Sequence, residues 1–275
     1  MTNRRFVAAV VQLHSTEDVE RNIQTTEVQV RRAAELGASL VAVPENFAFL
    51  RIHPESEGLR ATISGELVQR MAALAKETNV DLILGSIPEP SAVEGKIHNT
   101  SVYISRAGDV LAAYRKLHLF DIDIPGTLTL RETDHIVPGN APCIAESEFG
   151  PVGLTICYDL RFPEIYRHLR DKGARILTCP SAFTLQTGKD HWAPLLRARA
   201  IENQAWVLAP GQFGHHGGKR NSYGKSMIVD PWGIPVAIAR DGVGVAVAEI
   251  DLDYQDRVRA NLPCHSHRHP HFWND

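Results

Sequence analysis

VGLTICYDLRFPEIYRHLRDKGARILTC, residues 152–179, changes periodicity twice. Val152–Ile156 is a short apolar run of strand length, set off by the turn residues Phe149-Gly150-Pro151. Pro163 suits the first position of a helix, because its φ is already helical and its missing N–H would have no partner there. That helix should stop near Gly173, and Arg175–Cys179 reads as a second strand. Between the first strand and the helix stands Cys157, on a short turn.

Working outward, strand signals outnumber helix signals. On the N-terminal side, Phe6–Leu13 reads as a buried strand. Asp18–Leu36 reads as an amphipathic helix with Val19, Ile23, Val30 and Leu36 on or near one face, stopped by Gly37. Ser39–Val43 is a strand ending at Pro44-Glu45. Ser64 is a candidate cap for a helix reaching about Asn79, and Val80–Gly85 follows as a strand. Thr100–Ser105 and Val110–Arg115 flank the hairpin signal Ala107-Gly108-Asp109. Residues 117–142 carry Pro, Gly and Asp with little periodicity and read as a long ordered loop. On the C-terminal side come a helix over Asp190–Gln204 and a strand over Ala205–Ala209. A Gly-rich basic stretch, 211–227, reads as a surface turn or a mobile loop at a pocket mouth. Met227–Val229 and Pro235–Ala239 flank a turn, Val243–Ile250 is a strand, and Tyr254–Ala260 a last helix. So many strands with so few helices do not fit a simple doubly wound sheet. They fit an α/β fold of two mixed sheets packed face to face with helices outside, as a single domain over residues 1–275.

Composition is ordinary for a soluble globular protein and argues against several other classes. The 275 residues are 44% hydrophobic and 22% charged, with a formal net charge of -3. Lys and Arg are spread along the chain, so no basic stripe suggests a nucleic-acid partner. No segment approaches the roughly 20 apolar residues of a membrane helix. The start, MTNRRFVAAVVQLHS, imitates a weak signal peptide, but Gln12 interrupts a short apolar run and no small-residue cleavage site follows. Cys143, Cys157, Cys179 and Cys264 form no CxxC pair. Free thiols are expected, and with them a reducing, cytoplasmic location.

Three residues at predicted strand ends differ from their surroundings. Cys157 ends VGLTIC, where a strand-to-helix turn presents a side chain beside free backbone N–H groups. Glu45 follows VAVP, and Lys116 ends AAYRK. Singly, each has an ordinary reading: a buried thiol, a solvated loop Glu, a Lys with a snorkelling stem. Together they supply a nucleophile, a base and a cation for a tetrahedral oxyanion, the three roles of acyl transfer. A Cys–His pair drawing on His118, His191, His215 or His216 remains open on spacing alone.

The segments PENF (44–47), YRKLHLFDIDIPG (114–126) and GLTICYDLRFPE (153–164) resemble the three catalytic blocks of the nitrilase superfamily, in order and spacing. PSAFTLQTGKDHWAPLLRARAIENQ (180–204) and SMIVDPWG (226–233) extend the resemblance over nearly the whole chain. It implies a four-layer α-β-β-α sandwich, a homodimer or higher homo-oligomer, and a hydrolase of linear amides that uses no metal or cofactor. Cys157 would be the nucleophile, Glu45 the general base, and Lys116 with the Tyr158 N–H the oxyanion holders. Glu132, in LRETD, would orient Lys116, and the Lys116 ammonium would favour a Cys157 thiolate. Residues 261–275 match an interface arm.

The resemblance also bears on substrate. Arg161, four residues after the nucleophile, matches an Arg that binds a keto-acid carboxylate, with Phe183 and Thr187 lining the same pocket. A guanidinium suits bidentate carboxylate recognition. The expected partner is therefore a small amide bearing carboxylates. The pattern of 211–227 is nearer the deaminated glutathione amidase branch than the omega-amidase branch, which takes alpha-ketoglutaramate, although Lys225 stands where the former has His. Lys219 or Arg220 is a candidate for a remote carboxylate. The tail, CHSHRHPHFWND, tempts a different reading: His265, His267, His269 and His271 would share one face if extended and hold a soft metal beside Cys264, as in a metal-binding protein. Short His-rich tracts are compositional evidence only, and no metal site is expected.

Overall fold

A computed structural model describes residues 4–53, 55–124 and 128–269. In chain order its elements are β1 (Arg5–Leu13), α1 (Val19–Glu35), β2 (Ala38–Ala42), α2 (Glu66–Thr78), β3 (Asp81–Pro90), β4 (Ile97–Ile104), β5 (Val110–Arg115), β6 (Asp121–Ile124), β7 (Leu128–Arg131), β8 (Cys143–Ser147), β9 (Gly150–Leu154), α3 (Pro163–Asp171), β10 (Ile176–Thr178), α4 (Leu185–Asn203), β11 (Trp206–Ala209), β12 (Gly211–Gly217), β13 (Arg220–Tyr223), β14 (Met227–Val229), β15 (Pro235–Ile238), β16 (Gly244–Asp251) and α5 (Leu252–Asn261). Short 3₁₀ turns cover Glu132–Asp134 and Cys157–Arg161.

β1 explains the layering. Successive side chains of a strand point to opposite faces. Phe6, Ala8 and Val10 enter one apolar cluster, with Leu154, Ile156, Leu177 and Leu208. Ala9, Val11 and Leu13 enter another, with Ile23 and Val30 of α1 and Val68 and Met71 of α2. Both faces are covered, which is why RFVAAVVQL is almost continuously apolar rather than alternating. The eight-stranded sheet runs β13-β12-β1-β2-β3-β4-β5, with β16 paired antiparallel to β1. The six-stranded sheet runs β15-β14-β11-β10-β9-β8. The first cluster fills the space between the sheets and continues beneath α3 and α4 through Tyr166, Leu169, Trp192 and Leu196. The order of layers is α1 and α2, one sheet, the other sheet, α3 and α4: the expected α-β-β-α sandwich.

Several local expectations need correction. Residues 117–142 are not irregular throughout: β6 and β7 pair from Asp121↔Arg131 to Ile124↔Leu128. Four-residue strands give too short a period-2 signal to register. The Gly-rich stretch likewise folds as the hairpin β12–β13, with Gly214 and Gly217 at φ 89 and 133, values that favour glycine. α4 starts at Leu185, not Asp190, because the Thr184 side chain caps it by accepting from the Thr187 N–H. The cap of α2 is Gly65 rather than Ser64, whose carbonyl instead takes the Gln69 amide at 2.9 Å. Leu36 is exposed at the end of α1, off its buried face. Residues 264–267 form turns, so His265 and His267 do not lie on an extended segment. His271 and the rest of 270–275 lie outside the described residues.

Candidate active site

Glu45, Lys116 and Cys157 reach one place because of strand direction. β2 is parallel to β3, and β5 returns to that direction through antiparallel β4. The segments after β2 and β5 therefore leave the same edge of the sheet. β9 of the facing sheet ends at Leu154, two residues sooner than its apolar run suggests, and Cys157 opens the 3₁₀ turn beyond it. Cys157 holds φ 48, a left-handed value that costs a non-glycine residue free energy. Its N–H donates to the Pro180 carbonyl at 2.9 Å, which ties the strained turn to the end of β10.

The three side chains are almost fully buried: Glu45 is 2%, Lys116 0% and Cys157 8% exposed. The Lys116 ammonium donates to Glu45 Oε1 at 3.1 Å and to Glu132 Oε1 and Oε2 at 3.0 and 2.8 Å. Glu45 also accepts from Asn99 Nδ2 and from the Ala182 N–H, both at 2.9 Å. Glu132 is fixed by the Phe120 N–H at 2.8 Å. Each buried charge thus has partners for its lone pairs or protons, the condition for tolerating it away from water.

The protonation states follow from these contacts. Burial alone would raise the Glu45 carboxyl, but Lys116, Cys157 and Asn99 outweigh it, and the group stays below its ordinary value. Burial would neutralise Lys116, yet Glu132 and Glu45 hold it well above the usual ammonium range. Burial, then Glu45, pushes the Cys157 thiol well above its ordinary value, against the pull of Lys116. The pull of Lys116 has the expected direction, and desolvation and the Glu45 charge outweigh it. The arrangement gathers a thiol, a carboxylate and an ammonium in one buried place, the ammonium bonded to the carboxylate.

Among the histidines considered as partners for the thiol, none meets it. His118 Nδ1 donates to Asp159 at 2.7 Å and its ring stacks on Phe162. His191 lies against Arg161, His215 is exposed, and His216 bonds Ser15 and Ser222.

A cavity of about 1050 Å³ opens over the thiol. Tyr158, Arg161, Phe183 and Thr187 all line it. Arg161 stacks between Tyr158 and Phe183, with its Cζ 5.8 and 5.3 Å from their ring centres. Thr187 sits in the first turn of α4, its hydroxyl 2.8 Å from that of Thr184. Lys219 and Arg220 line the same cavity from the β12–β13 hairpin. Lys225 does not: it holds Asp241 at 2.6 Å, and its carbonyl accepts from Trp192. The departure at Lys225 therefore stands outside the residues that line the cavity.

Sequence reasoning missed Asn99 and Asp159. Asp159 is fully buried and accepts from Tyr114 Oη at 2.7 Å, the Ile156 N–H at 2.8 Å and the His118 N–H at 3.1 Å. It thereby joins the end of β5, which carries Lys116, to the turn that carries Cys157. Its place two residues after the cysteine, inside CYDLR, was the available signal. Asn99 had none, because nothing within NTSVYI distinguishes it from any strand Asn. Among the described residues, no group of three or more His, Cys, Asp or Glu stands where it would hold a metal ion.

This fold with this site defines a class. The sequence profile of the family described as "Carbon-nitrogen hydrolase" matches residues 7–260, and the chain belongs to that family, within the nitrilase superfamily. Its relatives narrow the comparison. It is 43% identical over 274 residues to a protein named deaminated glutathione amidase from Bos taurus, covering 98% of this chain and 84% of that one. A protein of the same name from a Synechocystis species is 41% identical over 266 residues, covering 96% and 98%. Among solved structures, the NitFhit protein of C. elegans superposes with a TM-score of 0.91 at 39% identity, covering all of this chain (100%) and 67% of that one. Saccharomyces cerevisiae Nit3, described as a member of branch 10 of the nitrilase superfamily, gives 0.83 at 30% identity, covering 95% and 96%. The chain is a carbon–nitrogen hydrolase of the amidohydrolase kind.

Proposed function

We propose that this amidohydrolase cleaves the linear amide bond of deaminated glutathione through a thioester on Cys157. The observation that carries the mechanism is that Glu45 and Cys157 line one cavity, with Lys116 Nζ 3.1 Å from the Glu45 carboxylate. Glu45 takes the thiol proton as sulfur attacks the amide carbon, so the thiolate forms only as it is used. Lys116 and the Tyr158 N–H, in the first turn of a helix where N–H groups lack intrahelical acceptors, stabilise the oxyanion. Glu45 returns the proton to the leaving amine. It then deprotonates the water that hydrolyses the thioester. Glu132 keeps Lys116 charged and in place.

Arg161, stacked between two rings and with no carboxylate partner among the described residues, supports an acyl half ending in a carboxylate. The names of the relatives support deaminated glutathione over other amides. Four free cysteines support a reducing compartment, the cytoplasm, and no helix among the described residues is long and apolar enough to cross a membrane. Exposed Trp232, Ile234, Val236 and Ile238 at β15 support self-association as a homodimer or larger assembly, which sedimentation in solution measures.

The test is a steady-state comparison of deaminated glutathione with alpha-ketoglutaramate. The expected outcome is a higher kcat/KM on the former, and no turnover of either by Cys157→Ala with an unchanged unfolding midpoint. A preference for alpha-ketoglutaramate would make the protein an omega-amidase. Turnover that survives Cys157→Ala would overturn the mechanism.

A further inference from the structure

Arg220 opens β13 and lines the cavity, on the strand whose Ser222 bridges to Thr184 beside Phe183. Its guanidinium is half-buried. A guanidinium has five N–H donors, and here the Nη1 bond to the Arg51 carbonyl at 3.0 Å is its one hydrogen bond among the described residues. No carboxylate of those residues lies within ion-pair distance of it. The charges that reach it are Glu45, Glu132 and Cys157, and both carboxylates are already bonded to Lys116. A desolvated cation whose donors are largely unspent is costly unless a ligand pairs it. Lys219, beside it, is exposed and solvated, so it bears no such cost.

The hairpin holds this guanidinium in place. The Tyr223 N–H donates to the Phe183 carbonyl at 2.9 Å. His216 Nδ1 donates to the Ser15 carbonyl at 2.8 Å, which leaves Nε2 to accept from Ser222 at 2.9 Å. Gly217 packs on Ile52 closely enough that a Cβ there would meet it at 3.0 Å. The cation is therefore positioned before any ligand arrives, which limits the ordering cost of binding.

We infer that Arg220 determines specificity by binding a carboxylate on the amine half of the substrate. The assignment of halves follows from Glu45, and it rests on the amidase reading above. The nitrogen that leaves must face Glu45, which gives it the proton as the C–N bond breaks. The chain that continues from Glu45 through Asn46 to Arg51 forms the wall to which Arg220 is bonded. The acyl half then lies toward Tyr158, Phe183 and Arg161. The substrate class is an amide of a 2-oxo diacid whose amine component ends in a free carboxylate, such as a short peptide.

The experiment uses two amides of the same 2-oxo diacid, with amine halves that are identical peptides ending in a carboxylate or in a carboxamide. kcat/KM is measured for the wild type, Arg220→Ala, Arg220→Lys and Arg161→Ala, with unfolding midpoints to verify folding. The wild type should prefer the carboxylate by roughly 10- to 150-fold, as expected for a charge-assisted bond to a desolvated partner. Arg220→Ala should abolish that preference, with the carboxamide losing less than about fivefold, the scale of a solvated contact. Arg220→Lys should keep part of it, and Arg161→Ala should lower both substrates alike. A wild type indifferent to the terminal carboxylate, or a preference that survives Arg220→Ala or vanishes in Arg161→Ala, overturns the inference. A wild type that cleaves neither amide fails the amidase reading itself, a separate outcome.

Discussion

At the scale of single residues, the site is organised around the cost of burying charge. Lys116 has no exposed surface and three carboxylate contacts. Removing one member of such a buried pair costs about 3–5 kcal/mol, so Lys116→Ala would weaken the fold together with any activity. Cys157→Ala is the cleaner variant because a neutral thiol leaves no uncompensated charge. The same electrostatics set a pH profile. Glu45 must be ionised to accept the thiol proton, and its carboxyl lies below the ordinary value. Lys116 must be protonated, and it is held well above its ordinary value. kcat/KM should therefore be flat from about pH 6 to about pH 9, falling only when acid protonates Glu45 or strong base deprotonates Lys116. The Cys157 thiol is pushed up by burial and Glu45. A rise centred near pH 8.5, the ordinary range of thiol ionisation, would show that a free thiolate is the attacking species and would remove Glu45 as base.

At the scale of elements, short connections transmit strand geometry into side-chain position. Gly85 of β3 faces the Pro44 backbone so closely that a Cβ would stand 2.2 Å from its carbonyl carbon and oxygen. Backbone cannot swing aside as a flexible side chain can, so Gly85→Ala must push the segment carrying Glu45. A shift of that kind costs about 1–3 kcal/mol, and misplacement near 1 Å can cost about 100-fold in rate. The expected result is a large loss of kcat with a modest drop in unfolding midpoint. Unchanged kinetics would mean that the Glu45 segment adapts freely. Here the sequence was only partly legible. Pro44-Glu45 after an apolar run marked the strand end, but nothing in DLILGSIPEP shows what its glycine touches. The β12–β13 hairpin was illegible for another reason. GQFGHHGGKRNSY has almost no apolar alternation, because its strands are held by His216, Ser222 and bonds to the segment at Phe183 rather than by a buried face.

At the scale of the whole molecule, two histidines, His216 buried and His265 half-buried, couple stability to acid. His216 and His265 are each held down to about 4, in both cases chiefly by burial. Their folded values lie below the unfolded value near 6.5, so between those limits the unfolded chain binds more protons and stability falls as pH falls. For His216, which is 5% exposed, the full effect is about 3 kcal/mol. The unfolding midpoint should decline from pH 7 toward pH 4.5, and His216→Gln should flatten part of that decline. An equal decline in the variant would assign the effect elsewhere. The sequence by itself determined the layers and the chemistry. Continuous apolar strands require two covered faces, and a thiol, a carboxylate and an ammonium at strand ends specify acyl transfer wherever they meet. Tertiary structure alone decided that they do meet. Glu45 and Cys157 are more than a hundred positions apart in the chain, and their place in one cavity depends on two sheets facing each other in one register. Tertiary structure alone also decided that the thiol is pushed up, since desolvation and the neighbouring carboxylates are properties of a packed interior. It placed Arg220, a plain basic residue in a glycine-rich stretch, half-buried in the wall of the cavity that Cys157 also lines.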